Sequence, residues 1–334
     1  MMKVSVVILN WNGCDMLRTF LPSVVRYSEG EGVEVCVADN GSTDTSVSLL
    51  QQEFPSVRTI VLDQNYGFAD GYNWALQQVD AEYVVLLNSD VEVTEHWLEP
   101  MIAYLDAHPE VAACQPKIRS QRQKEYFEYA GAAGGFIDKY GYPFCRGRIM
   151  GVVEKDEGQY DTVIPVFWAT GASLCIRRDV YRAAGGLDEA FFAHMEEIDL
   201  CWRLKNGGYT LKVVPSSVVY HLGGGSLPMN HPRKLFLNYR NNLLMLHKNL
   251  CAKQRKKIFF ARVLLDTMAG GLFLLKGQWS NTRSVIRAYK AFREMRKVYP
   301  VPESSMSLSG IYPRSIVLDY FLRGKKKFSD LNFK

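Results

Sequence analysis

Apolar residues fall in short runs, and each run is followed by a longer stretch with one apolar face. "VSVVIL" (4–9) precedes an amphipathic segment from Cys14 to Tyr27, "VEVCVA" (33–38) precedes 44–54, "RTIVL" (58–62) precedes 67–79, and "YVVLLN" (83–88) precedes 95–108. Runs of four to eight apolar residues suit buried strands, and a stripe at helical period suits a helix lying on a sheet. From Val4 to Val219 this alternation predicts an α/β domain with a largely parallel sheet. The opening run has one lysine and then six apolar or small residues. That is too short for a secretory core or a membrane span, so it predicts a buried first strand.

The pattern changes after residue 225, where amphipathic stretches carry basic flanks: "PRKLFLNYRNNLLMLHKNL", "KQRKKIFFARVLLDTMAGGLFLLKGQW" and "RSVIRAYKAFREMRKVY". They predict two or three helices over 226–334. Within 258–275 the only charges are Arg262 and Asp266, four apart and able to pair on one helix face. The run barely reaches a span and contains Gly270 and Gly271. It predicts a helix lying at a membrane interface, with helices that cover the α/β domain and show a solvated basic face as the alternative.

Charge sharpens this division. Residues 1–225 hold 18 Lys and Arg against 30 Asp and Glu, and residues 226–334 hold 22 against 5, so a net −12 faces a net +17 within a chain of +5. Clustered basic side chains favour an anionic leaflet, and no zinc-finger, helix-turn-helix or RNA-binding signature points to nucleic acid. The seven cysteines are scattered, odd in number and never in a C-x-x-C pair, which speaks for a reducing, cytoplasmic setting. With 334 residues, 47% hydrophobic and 22% charged, the chain has the means for one large domain and an appendage.

Candidate chemistry sits at strand ends, where open α/β sheets bind ligands. Four such ends are polar: "NWNG" (10–13), "ADNGSTD" (38–44), "DQNYGFADGYN" (63–73) and "NSDVE" (88–92). Each is also compatible with ordinary turns and helix caps, with Ser42, Thr43 or Asp44 as the cap. None fits the glycine signatures of a dinucleotide fold or a P-loop. A second polar block spans 168–226. Glu196, Glu197 and Asp199 open a helix that ends at "NGG" (206–208), and acids there suit the helix dipole. Glu196, Asp199 and Arg203 share a face, which leaves Glu197 turned elsewhere. His221 ends a β-branched run before "LGGGS". Residues 115–165, rich in glycine, tyrosine and charge, read as irregular loops, with Arg146 and Arg148 on a solvated surface or meeting a phosphate.

Taken in order, "VSVVILNWNG", "VADNGSTD", "NYGFADGYN", "LLNSDVE", "WATGASLCIRR", "GGLDEAFFAHMEEIDLCWRLKNGGY" and "VVYHLGGGS" resemble the family 2 glycosyltransferases, in particular their rhamnosyltransferase-like branch. The resemblance covers residues 3 to about 226. It implies a GT-A fold, mixed but mostly parallel, with a catalytic domain over 1–225 (donor half about 1–114, acceptor half about 115–225) and a basic helical region over 226–334. It further implies a nucleotide-diphospho-sugar donor, a divalent cation, Mn²⁺ or Mg²⁺, and inversion at the anomeric carbon.

By matching positions, Asp39 and Asp44 read the base and ribose, beside Asn10 and Ser42, and the loop with Asn65, Gly67 and Asn73 lies near the diphosphate and sugar. "NSD" stands in the family's D-x-D slot, with Asn88 replacing the first acid and Asp90 binding the metal. "EE" stands for the family's usual Glu-Asp pair, which makes Glu197 the base, beside Glu196 and Asp199. His221 becomes a further metal ligand, and Trp168, Thr170, Gly171 and Asp188 fall on the acceptor side. One carboxylate is enough to anchor such an ion, because donor phosphates and water complete its shell. The resemblance points to rhamnose from a thymidine diphosphate donor, passed to a lipid-linked or cell-surface saccharide on the inner face of the membrane. A hexosyl or galactofuranosyl transferase using a UDP-sugar and a non-catalytic nucleotide-sugar-binding scaffold are the competing readings.

Overall fold

A computed structural model describes residues 2–223, 231–303 and 309–333. The chain begins with β1 (Met2–Asn10), α1 (Cys14–Tyr27), β2 (Val33–Asp39), α2 (Ser46–Glu53), β3 (Arg58–Val61), α3 (Gly67–Gln77) and β4 (Ala81–Asn88). These four strands are all parallel and lie in the order β3-β2-β1-β4. Val84 to Leu87 are fully buried because helices cover both faces of the sheet, as a parallel sheet requires.

The chain continues through β5 (Val91–Val93), α4 (Glu99–Ala107) and β6 (Val111–Ser120). Next come four short strands, β7 (Gly135–Asp138), β8 (Pro143–Cys145), β9 (Arg148–Ile149) and β10 (Val152–Val153), and then β11 (Ile164–Pro165) and β12 (Ser173–Arg177). Strand β12 enters the main sheet antiparallel between β4 and β6. After α5 (Arg178–Ala183) and α6 (Glu196–Asn206), the long β13 (Thr210–His221) runs parallel to β6, with its register shifted between Val214 and Val218. The main sheet is therefore parallel over β1 to β4 and mixed beyond them.

Two expectations for 115–165 need correction. Much of that stretch is regular, because β7 to β10 pair into a small second sheet. Arg146 and Arg148 are buried, since carbonyl oxygens take their guanidinium protons: Arg146 donates to Ala133 (3.0 Å), Tyr160 (3.1 Å) and Thr162 (2.9 Å), and Arg148 to Tyr129 (2.8 Å). They hold loops together and face no phosphate.

The C-terminal region contains α7 (Pro232–Asn249), α8 (Ala252–Leu275), α9 (Trp279–Met295), β14 (Ile311–Tyr312) and α10 (Ile316–Leu322). The boundary placed near residue 225 lies outside the described residues, as do Gly224 and Gly225. Strand β14 joins the small sheet beside β7, and Asp138 accepts the Ile316 N–H at 3.0 Å, so residues 311–316 are tied to the small sheet. In α8, Arg262 and Asp266 pair at 3.2 Å on the inward face, where Tyr142 and Tyr289 donate to the same carboxylate at 2.6 and 2.7 Å. The opposite face is apolar and open, with Phe260 71%, Met268 62% and Leu275 86% exposed. By length and composition alone, α8 is also long enough to cross a membrane.

Candidate functional site

The ends of β1 and β2 are joined by their side chains. Asn10 and Asp39 are register partners, and the Asn10 amide donates to the Asp39 carboxylate at 3.0 Å. Asp39 also accepts the Ser42 N–H at 2.8 Å, while the Ser42 hydroxyl accepts from Asn12 N–H at 2.8 Å. A side chain at Gly13 would meet the Asn10 oxygen at 2.4 Å, so the turn out of β1 needs glycine. Asp44 accepts the N–H of Cys14 (3.1 Å) and of Ser46 (3.0 Å), the first residues of α1 and α2. Burial works against its charge, yet these bonds hold its carboxyl below the usual range.

Asn40 organises the next loop. Its amide donates to Gly67 O at 2.9 Å and Asn65 Oδ1 at 3.2 Å, and its oxygen accepts Tyr66 N–H at 3.0 Å. Asn65 accepts Gly67 N–H at 2.8 Å. Gly67 has φ +77°, and a Cβ there would strike the Phe192 ring at 2.6 Å, so glycine is required for both reasons. Phe68 N–H donates to Phe192 O at 2.8 Å. The donor loop thereby touches the segment that leads to Glu197.

Strand register explains the next cluster. His221 pairs with Val91 across β13 and β5, which sets the histidine beside Asp90 although 131 residues separate them. Its Nε2 lies 3.1 Å from Asp90 Oδ1 and 3.5 Å from the Asn88 amide nitrogen. Its Nδ1 lies 3.4 Å from the carboxylate of Glu128. All three charged groups are buried. Burial alone would lower the histidine, but Glu128 and Asp90 raise it to about 10. Asp90 moves the other way: despite burial, the His221 hydrogen bond holds it below its ordinary value.

The donor set suits a hard or borderline divalent cation. A carboxylate and an imidazole nitrogen about 3 Å apart match two adjacent ligands on one ion with bonds of about 2.1 Å. Among the described residues no three His, Cys, Asp or Glu side chains converge into a fuller cage. Phosphate oxygens and water would supply the remaining ligands, the usual pattern for an ion that works on a diphosphate.

The approach to α6 is strained. Phe192, His194 and Met195 take φ of 63°, 71° and 75°, left-handed values that non-glycine residues hold only when their surroundings compel it. Asn241 of α7 supplies that compulsion, sharing its amide among the carbonyls of Phe191 (2.9 Å), Ala193 (2.8 Å) and His194 (2.7 Å). Arg240 adds bonds to Ala190 O and Phe191 O. Immediately after this loop, Glu196 is buried and Glu197 half-buried, and each has a carboxyl oxygen without a partner among the described residues. Burial pushes Glu197 up to about 7, and burial beside Glu197 pushes Glu196 well above its ordinary value. Gly171 faces this pair: a Cβ there would lie 3.2 Å from Phe68 and 3.9 Å from the Glu197 Cβ.

Other expected residues are occupied inside the protein. Trp168 is only 3% exposed, with its ring against Gly135 and its N–H bonded to Phe136 O at 2.9 Å, so it has no face to stack on a sugar. Asp188 caps a short 3₁₀ turn through Ala190 N–H and pairs with Lys248 at 2.5 Å. Asp199 is fully buried, bound to Arg203 (2.9 Å), Lys248 (2.8 Å) and Asn249 (3.0 Å). Its role is to fasten α6 to α7, which corrects its placement among the reacting groups. Asn73 bonds Leu187 through both ends of its amide and accepts from Tyr181 at 2.7 Å, so it braces α3 and does not face a donor. Thr170 is buried against Gly131.

Sequence reasoning passed over Asn40, Glu128, Arg240 and Asn241. Asn40 stood inside a quoted motif, and its signal was an amide beside two strand-end loops. The others lie far along the chain from the groups they hold, Glu128 in a stretch without periodicity and Arg240 and Asn241 on a predicted helix whose partner loop no pattern reveals.

Residues 5–157 match the Glycosyl transferase family 2 model. N-acetylglucosaminyl-diphospho-decaprenol L-rhamnosyltransferase of Mycobacterium tuberculosis (strain ATCC 25618 / H37Rv) is 28% identical over 230 residues, 65% of this chain and 75% of that protein. The dTDP-rhamnosyl transferase RfbF of Shigella flexneri is 23% identical over 243 residues, 69% of this chain and 76% of that one. Among solved structures, GalNAc-T7 with UDP, GalNAc and Mn²⁺ superposes with a TM-score of 0.61 at 17% identity, covering 90% of this chain and 59% of that one. At that identity the likeness speaks for the fold, which is GT-A. Motif order, family match and relatives agree: residues 5–157 form a family 2 glycosyltransferase domain, and the chain is a glycosyltransferase similar to the rhamnosyltransferases.

Proposed function

We propose that this glycosyltransferase moves rhamnose from a thymidine diphosphate donor to a hydroxyl of a lipid-linked saccharide, with inversion and with a divalent cation held by Asp90 and His221. Two unlike groups carry this reading: the Asp90–His221 pair at 3.1 Å and the half-buried Glu197 with an oxygen unpartnered among the described residues. One group suits a diphosphate and the other suits a hydroxyl proton. The relatives supply the sugar and the acceptor class, since one is named for decaprenol-linked N-acetylglucosamine and another for dTDP-rhamnose.

In the reaction the acceptor oxygen bonds to the anomeric carbon as Glu197 takes the hydroxyl proton. The bond from that carbon to the diphosphate oxygen breaks, and its electron pair leaves with the nucleoside diphosphate. The cation, when bound, offsets the charge growing on that leaving group. Asn10, Asp39, Ser42 and Asp44 frame the nucleoside end, Asn65 and Gly67 the loop beside the sugar, and Asn88 adjoins the cation. Gly171 belongs to the acceptor wall and leaves room in front of Glu197. A carboxyl raised to about 7 suits a base working near neutral pH.

Membrane placement follows from α8. Its open apolar face and the lysines at 253, 256 and 257 suit a helix lying in the headgroup region, while the buried Arg262–Asp266 pair ties its other face to the protein. On this reading the protein sits on the cytoplasmic leaflet, where a lipid-linked acceptor is presented. A thermal-shift screen of nucleotide sugars with and without Mn²⁺ tests the donor. The expected outcome is stabilisation by dTDP-rhamnose that requires the ion, and a UDP-hexose stabilising more strongly would replace rhamnose in this account.

A further inference from the structure

We infer that Glu128 is a positioning residue for the cation site: its carboxylate, beside Nδ1 of His221, favours the ring proton on Nδ1 and so leaves Nε2 as the proton-free nitrogen presented beside Asp90. The inference rests on the proposed cation role of Asp90 and His221.

The histidine ring has two distinct sides. Nε2 faces Asp90 at 3.1 Å and the Asn88 amide at 3.5 Å, while Nδ1 lies 3.4 Å from Glu128, an ion-pair contact without hydrogen-bond geometry and the nearest carboxylate to it among the described residues. An imidazole can bind a cation through one nitrogen only when that nitrogen carries no proton, and the group opposite decides where the proton resides. A carboxylate behind a ligating histidine fixes both its tautomer and its ring angle and raises its basicity. Glu128 has the chemistry and the side for that task.

Its own placement is constrained. Glu128 N–H bonds to Ile118 O at 3.0 Å, which aligns it beside β6, the strand paired with β13. Its carboxylate accepts the Ala130 N–H, and a side chain at Gly223 would come within 2.8 Å of its other oxygen. Gly223 follows His221 by two residues, so the backbone leaving β13 passes close over the carboxylate because it has no Cβ. Arg148, buried nearby, supports the charge. Glu128 is buried, and a buried carboxylate without partners would be costly, so this one is held where it is by the groups around it.

The test is Mn²⁺ titration of the whole protein, followed by electron paramagnetic resonance, alone and with dTDP or UDP. Wild type is compared with Glu128→Gln, Asp90→Asn, His221→Ala and Glu92→Gln. Glu92 sits two residues from Asp90 and pairs with Lys124 at the surface, so its variant removes the same charge without touching the ring. We expect about 10- to 100-fold weaker Mn²⁺ binding in Glu128→Gln and a change under twofold in Glu92→Gln. Where the glutamine variant does not fold, Glu128→Asp keeps the charge but draws it back by one methylene, and an intermediate loss is expected. Wild-type affinity in the Glu128 variants, with binding lost in Asp90→Asn and His221→Ala, overturns the role of Glu128 alone. Equal weakening by Glu128→Gln and Glu92→Gln reduces it to bulk charge and also overturns it. No binding by wild type, or binding indifferent to Asp90 and His221, removes the cation site and the inference with it.

Discussion

At the scale of single residues, Glu197 carries the sharpest expectations. Its carboxyl, raised by burial to about 7, must lose its proton to act as a base, so kcat should rise with pH through about 7 and level above it. The same shift has a stability counterpart. Between the ordinary value near 4.5 and about 7 the folded state holds a proton that the unfolded state releases, so this group's contribution to stability declines as pH rises through that window. Glu197→Gln should abolish the kcat profile, lower turnover about 10²- to 10⁴-fold and flatten this part of the stability curve, as read from pH-rate profiles and urea melts. Glu197→Asp withdraws the carboxylate by a methylene, and a displacement near 1 Å costs on the order of a hundredfold. An aspartate variant as fast as wild type would mean that the base reaches its proton some other way. Legibility at this scale was uneven. Asp90 and His221 drew attention as polar groups at strand ends and Glu197 as an acid opening a helix, whereas Trp168 and Asp199 are buried by neighbours whose positions no local pattern reveals.

At the scale of elements, α7 joins chemistry to architecture. Its Asn241 holds three carbonyls of a loop with three left-handed non-glycine residues, and Lys248 and Asn249 hold Asp199 on α6. Asn241→Leu should release that loop and let Glu196 and Glu197 drift. Steady-state kinetics should then show kcat down about 10- to 100-fold with donor KM little changed. A rise in KM at constant kcat would assign Asn241 to donor binding instead. In α8 the Arg262–Asp266 pair was foreseeable from its spacing of four, but the two tyrosines completing it come from residues 142 and 289. Asp266→Ala leaves a buried guanidinium without its counter-charge, and urea unfolding should record a loss of about 3–5 kcal/mol. Strands β1 to β4 were legible because a parallel sheet buried on both faces writes continuous apolar runs. The small sheet of β7 to β10 was not, since strands of two to four residues are too short to show a period.

At the scale of the whole molecule, an acidic part and a shorter basic part meet near residue 225, and the proposed function gives substrate chemistry to the first and membrane placement to the second. The charge break near residue 225 was plain in the sequence, but the ties between the two parts were not: β14 in the small sheet, Asp138 on Ile316 and Asn241 on the loop before α6 join residues far apart in the chain. The open face of α8 leads to a direct expectation for membranes. The protein should sediment with anionic vesicles at low salt and be partly released as salt rises, because screening weakens the lysine and arginine contribution. Replacing Phe260 and Met268 with serine should reduce binding more than tenfold, given about 1.5–3 kcal/mol for each large apolar side chain withdrawn from water. No sedimentation at low salt would leave α8 as a covering helix only. The central claim, cation-assisted transfer using Glu197, meets its most direct test in nucleoside diphosphate release and product formation from dTDP-rhamnose with a lipid-linked N-acetylglucosamine acceptor. The account predicts turnover that needs Mn²⁺ or Mg²⁺, stops with chelator and falls at least a hundredfold in Glu197→Gln. Turnover undiminished by chelator, or retained in that variant, would contradict it.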